Sequence, residues 1–292
     1  MPLHPVLSIR WFFPLAAAAA LLAGCGGGGG SAGVTQPTVS NVGTQTPRYA
    51  APMLITINGS LLDGGIAVSA TGCSATTRST TAPNVSGPTT AFYLCTPTAL
   101  GAQTVTVTRT GDNTTLGTQA FTVPTPQVSM NIGNGAAVSG ILVISLRPDL
   151  APITVNNFLA YVNSGFFNGT TFHRVAPGFV IQGGGFTTDG TLKPTNPAIV
   201  LEDDKGLLNV QWSVAMARTN AADSATSQFF VNLVDNAFLN RSPTARGYAV
   251  FGSVTTNTAL VTAIVGAPCT PTGPSECNPQ PRMVINSATQ TQ

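Results

Sequence analysis

Phe172-His173-Arg174-Val175-Ala176-Pro177-Gly178-Phe179-Val180-Ile181-Gln182-Gly183-Gly184-Gly185 is the densest stretch of this chain. It predicts strands around residues 171–174 and 178–183. Further strands are expected around 212–217, 228–233 and 249–254. Upstream, Val128 to Ile132 and Ile141 to Leu146 form a strand pair joined through Asn134-Gly135, a hairpin turn signal. A helix follows. Thr154 is placed to cap it, Val155, Phe158, Leu159 and Val162 fall on one face, and Gly165 ends it in a left-handed position. A second, short helix is expected near 257–265, with Leu260, Val261, Ile264 and Val265 on one face. Many antiparallel strands with two helices predict a mainly β fold, a closed barrel with helical caps.

More short segments follow the opening stretch in order. They are Ser213-Val214-Ala215-Met216-Ala217-Arg218, Ser224-Ala225-Thr226-Ser227-Gln228-Phe229-Phe230-Val231-Asn232, Asn236-Ala237-Phe238-Leu239 and Gly247-Tyr248-Ala249-Val250-Phe251-Gly252. In this order and spacing, residues 127–290 resemble the cyclophilin family, with wording nearest its bacterial periplasmic branch. The resemblance implies an eight-stranded antiparallel barrel capped by two α-helices, over a domain of residues 127–292. It also implies peptidyl-prolyl cis/trans isomerase activity.

The residue types suit that reaction. A peptide bond resists rotation because its nitrogen lone pair is delocalised, with a barrier of ~18–20 kcal/mol. X-Pro isomers are close in energy but exchange in tens to hundreds of seconds. An enzyme therefore has only to prefer the twisted state, in which the prolyl nitrogen becomes a hydrogen-bond acceptor. A fixed guanidinium can donate to it. The resemblance assigns that role to Arg174, with Gln182 orienting Arg174 or holding the substrate carbonyl. Phe179, Phe230 and Leu239, with Val180 at the edge, would form the proline slot, and Gln228 would line the groove. The backbone of Ala217, Arg218 and Thr219 would pair with extended substrate, and Tyr248 and Phe238 would close the far wall. Eukaryotic members carry Trp where this chain has Phe238, His where it has Tyr248, Met at Val180 and Asn at Arg218. The missing indole donor at 238 argues against tight cyclosporin binding.

Other chemistries fit less well. His173, the single histidine after the leader, is expected to be structural, because no Gly-x-Ser-x-Gly elbow accompanies it. Gly183-Gly184-Gly185 lacks the Gly-Lys-Ser/Thr of a phosphate loop and is expected to permit a tight turn. Glu202-Asp203-Asp204 reads as a solvated acidic loop. No metal, nucleotide or other cofactor is implied.

The N-terminus reads as an export signal. His4 and Arg10 precede an apolar Trp11–Ala23 segment, and Leu22-Ala23-Gly24-Cys25 resembles a bacterial lipobox. Residues 1–24 are thus expected to be a signal peptide, with an uncleaved signal anchor as the alternative. Cys25 is expected to be lipidated, and residues 25–33 to form a Gly-rich tether. Of the remaining cysteines, Cys73 and Cys95 share one region and Cys269 and Cys277 another. An even remainder in an exported chain predicts two disulfides, Cys73–Cys95 and Cys269–Cys277. A metal site is the alternative, but there is no Cys-x-x-Cys.

Residues 34–123 alternate at period two, as in Met53-Leu54-Ile55-Thr56-Ile57 and Gln103 to Thr108, with a further strand from Gln119 to Val123. They predict a β-sandwich and resemble an immunoglobulin-like IPT/TIG domain. Pro124-Thr125-Pro126 is a hinge. Only 8% of the residues are charged and the net charge is +2, so a nucleic-acid partner is not expected. The expected partners are unfolded or partly folded exported proteins with X-Pro bonds, and a membrane reached through the lipid. A monomer is expected. The expected location is the periplasm-facing side of a bacterial envelope membrane, the outer one because Gly26 follows Cys25. The alternative function is a proline-segment-binding scaffold lipoprotein with little turnover.

Overall fold

The computed structural model describes residues 35–135 and 137–292. The expected signal segment, Cys25 and the tether lie outside the described residues. Seven strands come first: β1 (Thr38–Thr44), β2 (Met53–Ser60), β3 (Ile66–Ala70), β4 (Cys73–Arg78), β5 (Thr90–Pro97), β6 (Gly101–Arg109) and β7 (Thr115–Val123). They form a four-stranded sheet, β1-β2-β5-β4, and a three-stranded sheet, β3-β6-β7. Ile55, Ile57, Ala91 and Tyr93 of the first sheet and Val105, Val107, Phe121 and Val123 of the second are buried in one apolar cluster. Cys73 and Cys95 are disulfide-bonded, with Cα atoms 5.7 Å apart.

The larger part follows as β8 (Gln127–Gly133), β9 (Ser139–Leu146), α1 (Pro152–Asn163), β10 (Thr170–Ala176), β11 (Val180–Thr187), β12 (Ser213–Met216) and β13 (Phe229–Asn232). A 3₁₀ turn (Ala237–Leu239), β14 (Val250–Thr256), α2 (Thr258–Val265), β15 (Cys269–Gly273), β16 (Glu276–Pro279) and β17 (Met283–Gln290) complete it. The order β11-β13-β12-β14-β9-β8-β17-β10 closes when β10 pairs back onto β11, giving an eight-stranded antiparallel barrel with no free edge. β15 and β16 form a hairpin outside the ring, paired to it at Val175 and Cys277. A second disulfide, Cys269–Cys277, closes that hairpin.

Strand alternation decides what fills the barrel. Ile181, Val214, Met216, Phe229, Val231 and Phe251 turn inward and belong to the main core. Both helices bury apolar faces in the same core, through Val155, Phe158 and Leu159 and through Leu260, Val261 and Ile264. The Phe158 ring meets Phe167, Phe229 and Phe251 at centroid distances of 5.2, 5.5 and 4.9 Å. The first seven strands lie against the barrel's C-terminal strand. Gln290 Nε2 donates to the Tyr49 carbonyl at 2.8 Å, and Arg48 Nη1 donates to the Gln290 carbonyl at 3.3 Å.

Three local expectations need correction. Thr154 does not cap α1, which begins at Pro152 with Ala151 before it and no side-chain cap from its own segment. The Glu202 carboxylate does the work instead, accepting from the Ile153 and Thr154 amides at 3.3 and 2.8 Å and from Thr154 Oγ1 at 2.8 Å. An anion suits the unpaired amides and the positive end of a helix, wherever in the chain it comes from. The acidic run is therefore not a solvated loop: Glu202 is buried and Asp203 is sequestered by Arg241 and Arg246, while Asp204 is exposed. Nor do Gly183-Gly184-Gly185 form a tight turn, for they lie within β11 at an irregular stretch of its pairing with β10. Gly184 has φ +84°, and a Cβ on Gly185 would come within 2.6 Å of Gln228 Cγ.

Candidate active site

The outward residues of the same strands make the site. Arg174 pairs with Gln182, Gln182 with Phe230, Phe230 with Ala215 and Ala215 with Val250, one row across five adjacent strands. Directly paired residues share a face. Phe230, Val180, Ala215, Leu239 and Val250 accordingly form a second apolar cluster, flanked by Phe179, Ala217 and Tyr248. Arg174, Phe179, Val180, Gln182, Ala217, Arg218, Phe230, Leu239 and Tyr248 line one open cavity of about 230 Å³. Thr219 and Gln228 line an adjoining depression that shares Gln182, Ala217 and Arg218.

Arg174 is held at two edges. Its Nη1 donates to Gln182 Oε1 at 3.3 Å, and its Nε donates to Glu276 Oε2. Gln182 Nε2 in turn donates to Gln228 Oε1 at 2.9 Å. The guanidinium carbon lies 5.8 Å from the Phe179 ring centre. Arg218 lies over the Tyr248 ring at 4.6 Å and donates from Nε to the Gly247 carbonyl at 3.0 Å. Tyr248 meets Phe230 edge-on at 5.6 Å.

One predicted placement differs. Phe238 does not close the far wall of the cavity; it is 74% exposed and stacks on Phe179 at 5.5 Å. It sits in a short 3₁₀ turn whose one inward side chain is Leu239. The Ala217 amide donates to the Gln228 carbonyl at 2.9 Å, which leaves its carbonyl as the group for outward pairing.

A buried amide network, missed in the sequence, fixes the slot. Asn236 Nδ2 donates to the Phe179 carbonyl and to Asn232 Oδ1, at 3.1 and 2.7 Å. Asn232 Nδ2 donates to Ser213 Oγ at 2.9 Å, and Asn209 Nδ2 donates to the Leu239 carbonyl at 3.2 Å. Satisfied buried networks specify one geometry. Asp203 anchors the other wall by accepting from the Gly247 amide at 2.7 Å, next to Tyr248. Hydrogen bonds from Arg246 first, then from the Gly247 amide and Arg241, hold its carboxyl well below the usual carboxylate range. His173 packs edge-on against Phe186 at 4.7 Å, and burial pushes its pKa below the ordinary histidine value. It does not line the cavity.

A charged fork thus stands beside an apolar notch, on the outside of a barrel filled by its own side chains. The family described as cyclophilin type peptidyl-prolyl cis-trans isomerase/CLD matches residues 128–290. Peptidyl-prolyl cis-trans isomerase A of Dickeya dadantii is 47% identical over 150 residues, 51% of this chain and 79% of that protein. The isomerase cyp18 of Streptomyces antibioticus is 54% identical over 131 residues, 44% of this chain and 79% of that protein. Isomerase B of Escherichia coli is 44% identical over 153 residues, 51% of this chain and 93% of that protein. The chain belongs to the cyclophilin-type peptidyl-prolyl cis-trans isomerase family.

Proposed function

We propose that Arg174 drives the isomerisation by donating to the prolyl nitrogen as the amide twists, while Phe179, Phe230 and Leu239 hold the proline ring. Gln182 keeps the guanidinium aimed. The reading is supported by one observation above all: Arg174, Gln182 and Phe230 stand in register on adjacent strands, beside the cavity that also contains Phe179 and Leu239. The donor gains a partner only as conjugation is lost, so it favours the twisted state over either planar one. Arg174→Ala tests this in a prolyl-peptide isomerisation assay, with a loss of rate expected.

We further propose a setting for this enzyme. Residues 34–123 act as an immunoglobulin-like module of IPT/TIG type, which holds the isomerase domain away from a membrane. Cys25 carries the lipid, on the periplasmic side of the outer membrane, and the clients are exported proteins with X-Pro bonds. The Leu22-Ala23-Gly24-Cys25 sequence supports the anchor, and two disulfides are consistent with an oxidising compartment. Cys25→Ser would then move the protein from the membrane fraction to the soluble one without changing its rate. Retention on membranes would reject the anchor.

A further inference from the structure

We infer that Glu276, carried on the disulfide-closed β15–β16 hairpin, is a positioning residue for Arg174. The inference rests on the role proposed for Arg174 above. Glu276 lies 102 residues away in sequence, yet its Oε2 accepts from Arg174 Nε at 2.5 Å. The hairpin makes this reach possible. Cys277 pairs with Val175, which sets Glu276 beside the strand that carries Arg174. The Cys269–Cys277 bond and the pairing of Gly273 with Glu276 fix the hairpin against itself. A Cβ on Gly273 would come within 3.0 Å of Glu276 Cγ, so a glycine there leaves room for the carboxylate arm.

The consequence is geometric. Glu276 takes the Nε edge of the guanidinium and Gln182 takes Nη1. Among the described residues, the hydrogen bonds of this side chain engage Nε and Nη1 and leave Nη2 for the cavity that Arg174 lines. A planar fork gripped at two edges cannot swing about its last torsions, so its remaining N–H groups stay aimed at one place. Both side chains are about one-third exposed (32% each), so the ion pair contributes little to folding. Its effect should therefore appear in rate, where small displacements of a catalytic group cost much. Glu276, Ser275 and Pro274 also line a separate depression that shares Arg174 and Phe179 with the cavity.

The test measures kcat, prolyl-peptide affinity, melting and the Arg174 Nε–Hε resonance. Glu276→Ala should lower kcat about tenfold, leave peptide affinity within about twofold, and lose the distinct Nε–Hε signal. Glu276→Gln, whose amide oxygen can still accept from Nε, should recover most of the rate. Cys269→Ser/Cys277→Ser should lower kcat severalfold, and adding Glu276→Ala to it should cost less than it does alone, because both act through one geometry. If Arg174→Ala is slow but Glu276→Ala keeps full rate, the inference fails and the Arg174 reading stands. A faster Glu276→Ala enzyme, or a loss confined to peptide affinity, also overturns it. If Arg174→Ala keeps full rate, the earlier reading fails and takes this one with it.

Discussion

The two faces of five barrel strands do different things with the same backbone. On the inner face, Ile181, Val214, Phe229 and Val231 are sealed in a core with both helices. On the outer face, their neighbours Val180, Gln182, Ala215 and Phe230 form an open, half-apolar groove with Arg174 at one end. A period of two puts the sealed core and the open groove one residue apart on the same strands. The first seven strands show the same alternation, but their outward residues are mostly Thr, Ser and Gly.

The pair Phe229 and Phe230 can break this comparison. Phe229→Ala should cost about 3–5 kcal/mol in urea unfolding, because its ring meets Phe158, Phe167 and Phe172 and its loss leaves a sealed void. The molecules that remain folded should isomerise at close to the full rate. Phe230→Ala opens a notch that water can fill, so it should cost roughly half as much stability while lowering kcat/KM more than tenfold. Equal profiles for the two variants would erase the distinction between the faces.

A smaller effect comes from Asp203, which braces the groove from beneath. Its folded carboxyl has a lowered pKa, because Arg246, the Gly247 amide and Arg241 bond the charged form. The unfolded chain therefore takes up this proton first. The stabilisation is complete above about pH 4, the unfolded carboxyl's value, and is lost as the pH falls toward the folded one. Asp203→Asn should be less stable at pH 7 and show a flatter fall in melting temperature below pH 4. An unchanged acid slope would show that the bonds around Asp203 do not hold its charged form.

How legible all this was depends on distance along the chain. Alternation and turn residues placed the strands, and the Phe172–Gly185 stretch, with its companion segments, named most of the groove. Glu276 was out of reach, because a disulfide-closed hairpin brings it to Arg174 from 102 positions away. Glu202 reads as a solvated acid in sequence and serves as a helix cap in the fold, since the unpaired amides of α1 donate to a carboxylate from any loop that passes. Asn209 and Asn240 carry no local signal; their meaning lies in the buried network beneath Leu239. Phe238 reads as a wall residue in sequence, but in the fold the buried side chain of its 3₁₀ turn is Leu239.

The central claim is that Arg174 acts on the twisted amide rather than on binding. Prolyl-peptide isomerisation and peptide affinity, measured together for the wild type and Arg174→Ala, test it directly. The account predicts a rate lower by about 10²–10³-fold, as for loss of one preorganised donor to a transition state, with affinity and melting nearly unchanged. An undiminished rate, or a rate that falls only in step with affinity, would contradict it.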